Sequence, residues 1–135
     1  MHKIGIDIVE ISRIKNSVNK YKNQFLKRIF TEKELNYSKN KQSKFSHLAA
    51  RFCGKEAVMK AFGCAFDFKQ IEILNDKEGA PIVKLYGRAL KKAKEKKVKN
   101  IEISLSHCKQ YAVASVIVNS KTGSRGASAR AIKEK

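Results

Sequence analysis

The sequence predicts a single α+β domain, and three observations carry that expectation. Residues 51–63, RFCGKEAVMKAFG, have the pattern of one long amphipathic helix that stops at a glycine. Two pairs of short β-rich runs, 70–74 with 82–86 and 101–107 with 111–118, are each joined by a turn-forming connection and read as hairpins. A length of 135 residues suits one core and no second domain.

Residues 3–9, KIGIDIV, alternate poorly and are β-branched, so they predict a strand buried on both faces. Gly5 inside it marks a close backbone approach or a bulge. Asp7 is a charge in an apolar run and needs a partner or a metal. Two readings of it stand at this point: a strand-end carboxylate capping the next turn, and a metal ligand. Residues 10–29 keep helical periodicity. Ile11, Ile14, Val18, Tyr21 and Phe25 share a stripe, which leaves Arg13, Lys20, Lys22, Lys27 and Arg28 for solvent. A solvated face and a basic docking surface for an acidic partner helix fit that arrangement equally.

Thr31 and Glu34 have capping-box spacing and open a short helix to about Ser38. A polar connection rich in lysine and serine leads to Phe45, and Ser43 or Ser46 opens the long helix. Phe45, Leu48, Ala49 and Phe52 give that helix a core face, Gly54 permits close approach, and Gly63 is its C-terminal cap. Residues 66–69 read as a loop. The connection NDKEGAP at 75–81 has glycine and proline as turn formers. Residues 87–99 predict a helix whose lysine run, Lys91 to Lys99, reads as a solvated face. Ile101, Ile103 and Leu105 then alternate with Glu102, Ser104 and Ser106. A tight turn at 108–110 leaves His107 at the mouth of the last hairpin. A lone histidine there is more often structural than catalytic. Residues 119–135, NSKTGSRGASARAIKEK, are expected to be a basic, disordered tail outside a 1–118 domain.

The formal charge of +18 calls for anionic partners: nucleic acid, phosphorylated metabolites, acidic proteins or a membrane surface. No apolar run is long enough to cross a bilayer, and the N-terminus enters a strand directly, with no signal peptide. The three cysteines lack zinc or Cys-x-x-Cys spacing and are expected to be reduced thiols in a cytoplasmic protein.

Glu56 and Lys60 are four apart and project from one helix face. Alone, such a pair is an ordinary and weak ion pair. With Asp7, two carboxylates from separate elements could hold Mg²⁺, which prefers oxygen ligands, and Lys60 would meet the same phosphate. Metal and lysine together would stabilise charge on a phosphoryl group in transfer. There is no Walker A loop and no Gly-x-Gly-x-x-Gly. Two carboxylates and a lysine do not single out this chemistry by spacing.

Five segments in order resemble one family: GIDIV at 5–9, FTEKEL at 30–35, RFCGKEAVMKAFG at 51–63, GAP at 79–81 and SLSH at 104–107. Over about 1–118 the chain is similar to holo-acyl-carrier-protein synthase, the small-subunit class of 4′-phosphopantetheinyl transferases. The resemblance implies an antiparallel sheet wrapped around the long central helix, one small domain per chain. It implies transfer of 4′-phosphopantetheine from coenzyme A to a serine of apo acyl carrier protein, in support of fatty acid biosynthesis, with release of adenosine 3′,5′-bisphosphate. Asp7 and Glu56 match the family's Mg²⁺ ligands, and Asp7, Glu56 and Lys60 its catalytic residues. Lys60, Gly63, Arg51, Ser106 and His107 match the coenzyme A site. Arg13, Lys20, Lys22 and Arg28 match the region that docks the acidic carrier protein. A homotrimer is implied, with sites at subunit interfaces, so that His107 acts across from a neighbour's Asp7 and Glu56. The implied step is in-line attack on the β-phosphoryl, with Glu56, directly or through a metal-bound water, taking the serine proton. No nucleic-acid or membrane partner is implied. A basic nucleic-acid-binding protein and a catalytically inactive scaffold are the other two classes that the composition allows.

Overall fold

A computed structural model describes residues 1–121. In chain order the elements are β1 (His2–Glu10), α1 (Ile11–Tyr21), α2 (Asn23–Ile29), α3 (Glu32–Lys39), α4 (Lys44–Phe62), β2 (Ile71–Asn75), β3 (Pro81–Leu85), α5 (Gly87–Glu95), β4 (Val98–His107) and β5 (Tyr111–Ser120). A single 3-10 turn, Phe68–Gln70, precedes β2. β1, β5 and β4 form one antiparallel sheet in that order, and β2 pairs with β3 in a second. The sheet does close around the long central helix: α4 packs on β1, β5, β4 and β2.

α4 can sit that deep because its neighbours are small. Ala112 and Ala114 of β5 are fully buried beneath it, and Gly5 of β1 lies against its backbone. Its buried residues run round most of its circumference, Arg51 and Lys55 included, so it is a core helix rather than a one-faced surface helix. Gly63 ends it in a left-handed conformation (φ 73°), with its N–H on the Met59 and Lys60 carbonyls, as the C-cap pattern predicts. The capping box is present too: Glu34 N–H donates to Thr31 Oγ1 at 3.3 Å, and Thr31 N–H to Glu34 Oε1 at 2.8 Å.

Four expectations are corrected. β1 is not buried on both faces. Gly5, Asp7 and Val9 face α4, while Ile4, Ile6 and Ile8 are 60–69% exposed. Period-two geometry allots those two sets to opposite faces, and helices cover only one. Residues 10–29 are not one helix. Lys22 adopts φ 52°, ψ −127° and breaks it, turning Tyr21 out to solvent. α5 stops at Glu95, and Lys97 (φ 56°) turns the chain into β4 three residues earlier than the alternation predicts. β5 continues past Val118, with His2 opposite Asn119, so 119 and 120 belong to the domain. The rest of the expected tail, 122–135, lies outside the described residues.

One buried ion pair went unread in the sequence. Lys55 and Glu34 are both fully buried, with Nζ 2.7 Å from Oε1. Lys55 Nζ also donates to the Ile29 and Phe68 carbonyls, and Glu34 Oε2 accepts the Ile73 N–H at 2.7 Å. This cluster ties α2, α3, α4 and β2 together at one point. Its charges are satisfied by hydrogen bonds, which is the condition for burying them.

Candidate active site

The site starts from the face of β1 that turns toward α4. In the antiparallel register Asp7 stands opposite Ala114, whose small side chain leaves the carboxylate room against the helix. Lys60, in the last turn of α4, donates to Asp7 Oδ1 at 3.1 Å and to the Ile6 carbonyl at 3.0 Å. Thus Lys60 pairs with a carboxylate fifty-three residues away, not with Glu56 four residues before it on its own helix. The lysine side chain is 55% exposed and the aspartate 16%. The lysine end of the pair thus faces solvent, while the aspartate is mostly covered.

Glu56 sits partly buried beside this pair. Burial first, and then the Asp7 charge, raise its carboxyl above the ordinary value, with Lys60 opposing. A cation between the Asp7 and Glu56 carboxylates would relieve the repulsion that disfavours the ionised form of Glu56. Cys53, one turn earlier, is fully buried and donates Sγ–H to the Ala112 carbonyl at 3.4 Å. Burial and then Asp7 push its thiol up to about 12, so it packs and does not act as a nucleophile. Among the described residues no third His, Cys, Asp or Glu joins Asp7 and Glu56 as a metal ligand. The donor set still fits a hard divalent cation such as Mg²⁺, which takes one or two carboxylates and fills its shell with water and phosphate oxygens.

Residues 3–116 match the model of the 4′-phosphopantetheinyl transferase superfamily. The chain belongs to that superfamily. Holo-[acyl-carrier-protein] synthases of Clostridium tetani and Caldicellulosiruptor saccharolyticus are 44% and 47% identical to it. These alignments cover 85% and 84% of this chain and 93% of each relative. A solved holo-[acyl-carrier-protein] synthase from Helicobacter pylori, in complex with coenzyme A, superposes with a TM-score of 0.77 at 32% identity. It covers 86% of this chain and 99% of its own. The chain is therefore an enzyme of the holo-[acyl-carrier-protein] synthase kind.

In this transferase the remaining expected residues fall into separate groups. Gly63 is exposed at the end of α4, three residues beyond Lys60. His107 is elsewhere. Its ring lies 6.1 Å from that of His47 near the start of α4. Nine residues of helix, roughly 13 Å along the axis, separate His47 from Glu56. Ser106 alternates to the opposite face of the sheet, on the side of Ile8 and Val113. Arg51 is almost wholly buried. It packs on the Tyr37 ring at 4.5 Å and donates to the His47 carbonyl and the Asn75 side chain. Within one chain, then, Asp7, Glu56 and Lys60 converge, while His107 and Arg51 form a second group around His47 and Tyr37. Sequence reasoning missed His47 and Tyr37, because neither ring has a motif and only their packing brings them to His107.

Arg13, Lys20, Lys22 and Arg28 are all exposed on α1, α2 and their junction. Beside them a cavity of about 500 Å³ is lined by Ser17, Tyr21, Gln24, Phe25 and Arg28. The break at Lys22 that corrects the single-helix expectation is what exposes Tyr21 within this basic surface.

Proposed function

We propose that this transferase moves 4′-phosphopantetheine from coenzyme A to a serine hydroxyl of apo acyl carrier protein in support of fatty acid biosynthesis. It does so in the cytoplasm with Mg²⁺. The convergence of Asp7, Glu56 and Lys60 from β1 and α4 carries this reading, together with the coenzyme A named in the Helicobacter pylori structure. Mg²⁺ held by Asp7 and Glu56 would offset charge on the pyrophosphate oxygens.

The chain's own groups do the rest. Lys60 leaves Asp7 for the phosphate and neutralises the charge that develops on the departing group. Glu56, directly or through a water molecule, takes the proton of the attacking serine. The serine oxygen bonds to the β-phosphorus as the bond to the bridging oxygen breaks, and adenosine 3′,5′-bisphosphate departs. Arg13, Lys20, Lys22 and Arg28 receive the acidic carrier protein, and their charge accelerates encounter at low salt.

A homotrimer completes the reading. Ile4, Ile6, Ile8, Tyr111 and Ile117 leave the outer face of β1 and β5 as an apolar strip exposed on one chain, a surface suited to burial against further copies. Such an assembly also reconciles the distance between His107 and Glu56, since the two groups would meet across a subunit boundary.

Intact-mass spectrometry tests the reaction. Apo acyl carrier protein incubated with this enzyme, coenzyme A and Mg²⁺ is expected to gain one phosphopantetheine, and EDTA is expected to prevent the gain. No gain with any of several carrier proteins overturns the reading.

A further inference from the structure

Between α1, α2, α3 and α4 lies a cavity of about 190 Å³. Val18 of α1, Leu26 of α2, Leu35 of α3 and Leu48 of α4 form its walls. Val18 and Leu48 belong to the core, and Leu26 and Leu35 are half-buried against it. α2 leaves α1 at the Lys22 break, so Val18 and Leu26 reach the cavity from two separate helices. Ser38 also lines it, but its hydroxyl is taken up within α3, donating to the Glu34 carbonyl at 3.2 Å. The remaining lining residues, Asn36, Lys39 and Lys44, are all exposed and stand at its mouth. Neither the Asp7–Glu56–Lys60 group nor the basic docking residues line it.

Packed interiors leave few voids larger than a water molecule. A gap of this size among valine and leucine side chains costs the fold stability, and an apolar group that enters it restores the missing dispersion contacts. A cavity of roughly 150 Å³ with similar walls takes up benzene, so this one suits an unbranched chain of about six carbons. The mouth has a different character. Lys39 and Lys44 bring two ammonium groups to it, and among the described residues neither has a carboxylate partner. Asn36 adds an amide donor. The head group complementary to that rim is an anion, and a carboxylate has one oxygen for each lysine.

We propose that this cavity is a binding site for a short aliphatic monocarboxylate, with the chain among Val18, Leu26, Leu35 and Leu48 and the carboxylate between Lys39 and Lys44. The site is separate from the transfer chemistry and stands or falls independently of that reading. Each methylene that enters strengthens binding about fourfold, up to the length that fills the cavity. The two lysines select the sign of the head group and add less, because exposed ion pairs are weak.

Methyl-resolved NMR titration of the full chain with butanoate, hexanoate, hexanol and hexylamine tests the site. Hexanoate is expected to shift the Val18, Leu26, Leu35 and Leu48 methyl signals and to saturate them. Butanoate, two methylenes shorter, is expected to bind about 15-fold more weakly. Hexanol is expected to bind about fivefold more weakly than hexanoate, and hexylamine more weakly still. Lys39→Gln with Lys44→Gln should bring hexanoate down to the level of hexanol and leave hexanol unchanged. Leu35→Phe fills the cavity and should abolish binding of all four. The double glutamine variant leaves the core untouched, so it decides the matter even where Leu35→Phe fails to fold. Hexanoate that leaves those methyl signals in place overturns the proposal. So does equal affinity for hexanoate and butanoate, or for hexanoate and hexylamine. Undiminished hexanoate binding in the double glutamine variant, or in folded Leu35→Phe, overturns it as well. Shifts of the same signals with apo acyl carrier protein and none with hexanoate would assign the cavity to a protein side chain instead.

Discussion

Gly5 lies so close to Ala57 that a β-carbon on it would sit 1.8 Å from the Ala57 carbonyl oxygen and 2.9 Å from the Ala61 nitrogen. Both are backbone atoms of α4, so no side chain can rotate away. This contact sets the spacing of β1 and α4 and hence the reach of Lys60 to Asp7, two residues along the strand. Gly5→Ala is expected to cost more than the roughly 1–3 kcal/mol of ordinary overpacking and to abolish transfer. Urea unfolding measures it, and an unchanged midpoint would mean that the strand stands farther from the helix.

Lys55→Met leaves the Glu34 carboxylate buried beside the Ile73 and Thr31 amides without its cation. The expected loss is about 3–5 kcal/mol, the cost of breaking one side of a buried pair. Adding Glu34→Gln should recover part of it. A single variant within about 0.5 kcal/mol of wild type, the range of ordinary surface changes, would rule out a structural role for the pair.

Glu56 has the opposite character. Its carboxyl in the fold lies above the ordinary 4.5, through burial first and Asp7 second. A group raised in this way stabilises the fold fully below its unfolded value, and that contribution is lost as pH rises through the folded value. Glu56→Gln should therefore melt at or above wild type near pH 7, and the gap should close well below pH 4, where the carboxyl is protonated in both folded and unfolded chains. Transfer should fall by about 100-fold or more. Lower melting at neutral pH would mean that the carboxylate holds the fold together.

Ile6→Lys places a charge in the middle of the exposed isoleucine strip without touching the α4 face. Light scattering after size exclusion should show trimers for wild type and monomers for the variant. Circular dichroism should be unchanged and transfer lost. A variant that remains trimeric would place the interface elsewhere.

Arg13→Glu with Arg28→Glu reverses charge on α1 and α2, far in sequence from Asp7, Glu56 and Lys60. The KM for carrier protein is expected to rise about tenfold or more at low salt, and less as screening grows. The KM for coenzyme A should be unchanged. Equal effects on both substrates would exclude a docking role.

Much of the fold was legible because local rules govern it. The Thr31–Glu34 box, the Gly63 cap and the turn at 108–110 each depend on a few adjacent residues, and each is found where its pattern predicts. The break at Lys22 was not legible. A lysine carries no turn signal, and the periodicity continues through it. Nor was the burial of Lys55, which reads like any surface lysine until Glu34 arrives from α3 to meet it.

The sequence by itself determined the class, the family and the residue types of the site, since a carboxylate in an apolar strand and a Glu56–Lys60 spacing survive translation into any packing. Tertiary structure alone decided which charge meets which. Lys60 turns to Asp7 rather than to its helical neighbour Glu56, because Gly5 and Ala114 let β1 approach α4 closely enough to present Asp7 to it. His47 meets His107 because β4 crosses the start of the same helix. Spacing along a helix fixes direction, but charges separated by fifty residues meet only where packing density and small side chains let two backbones come together.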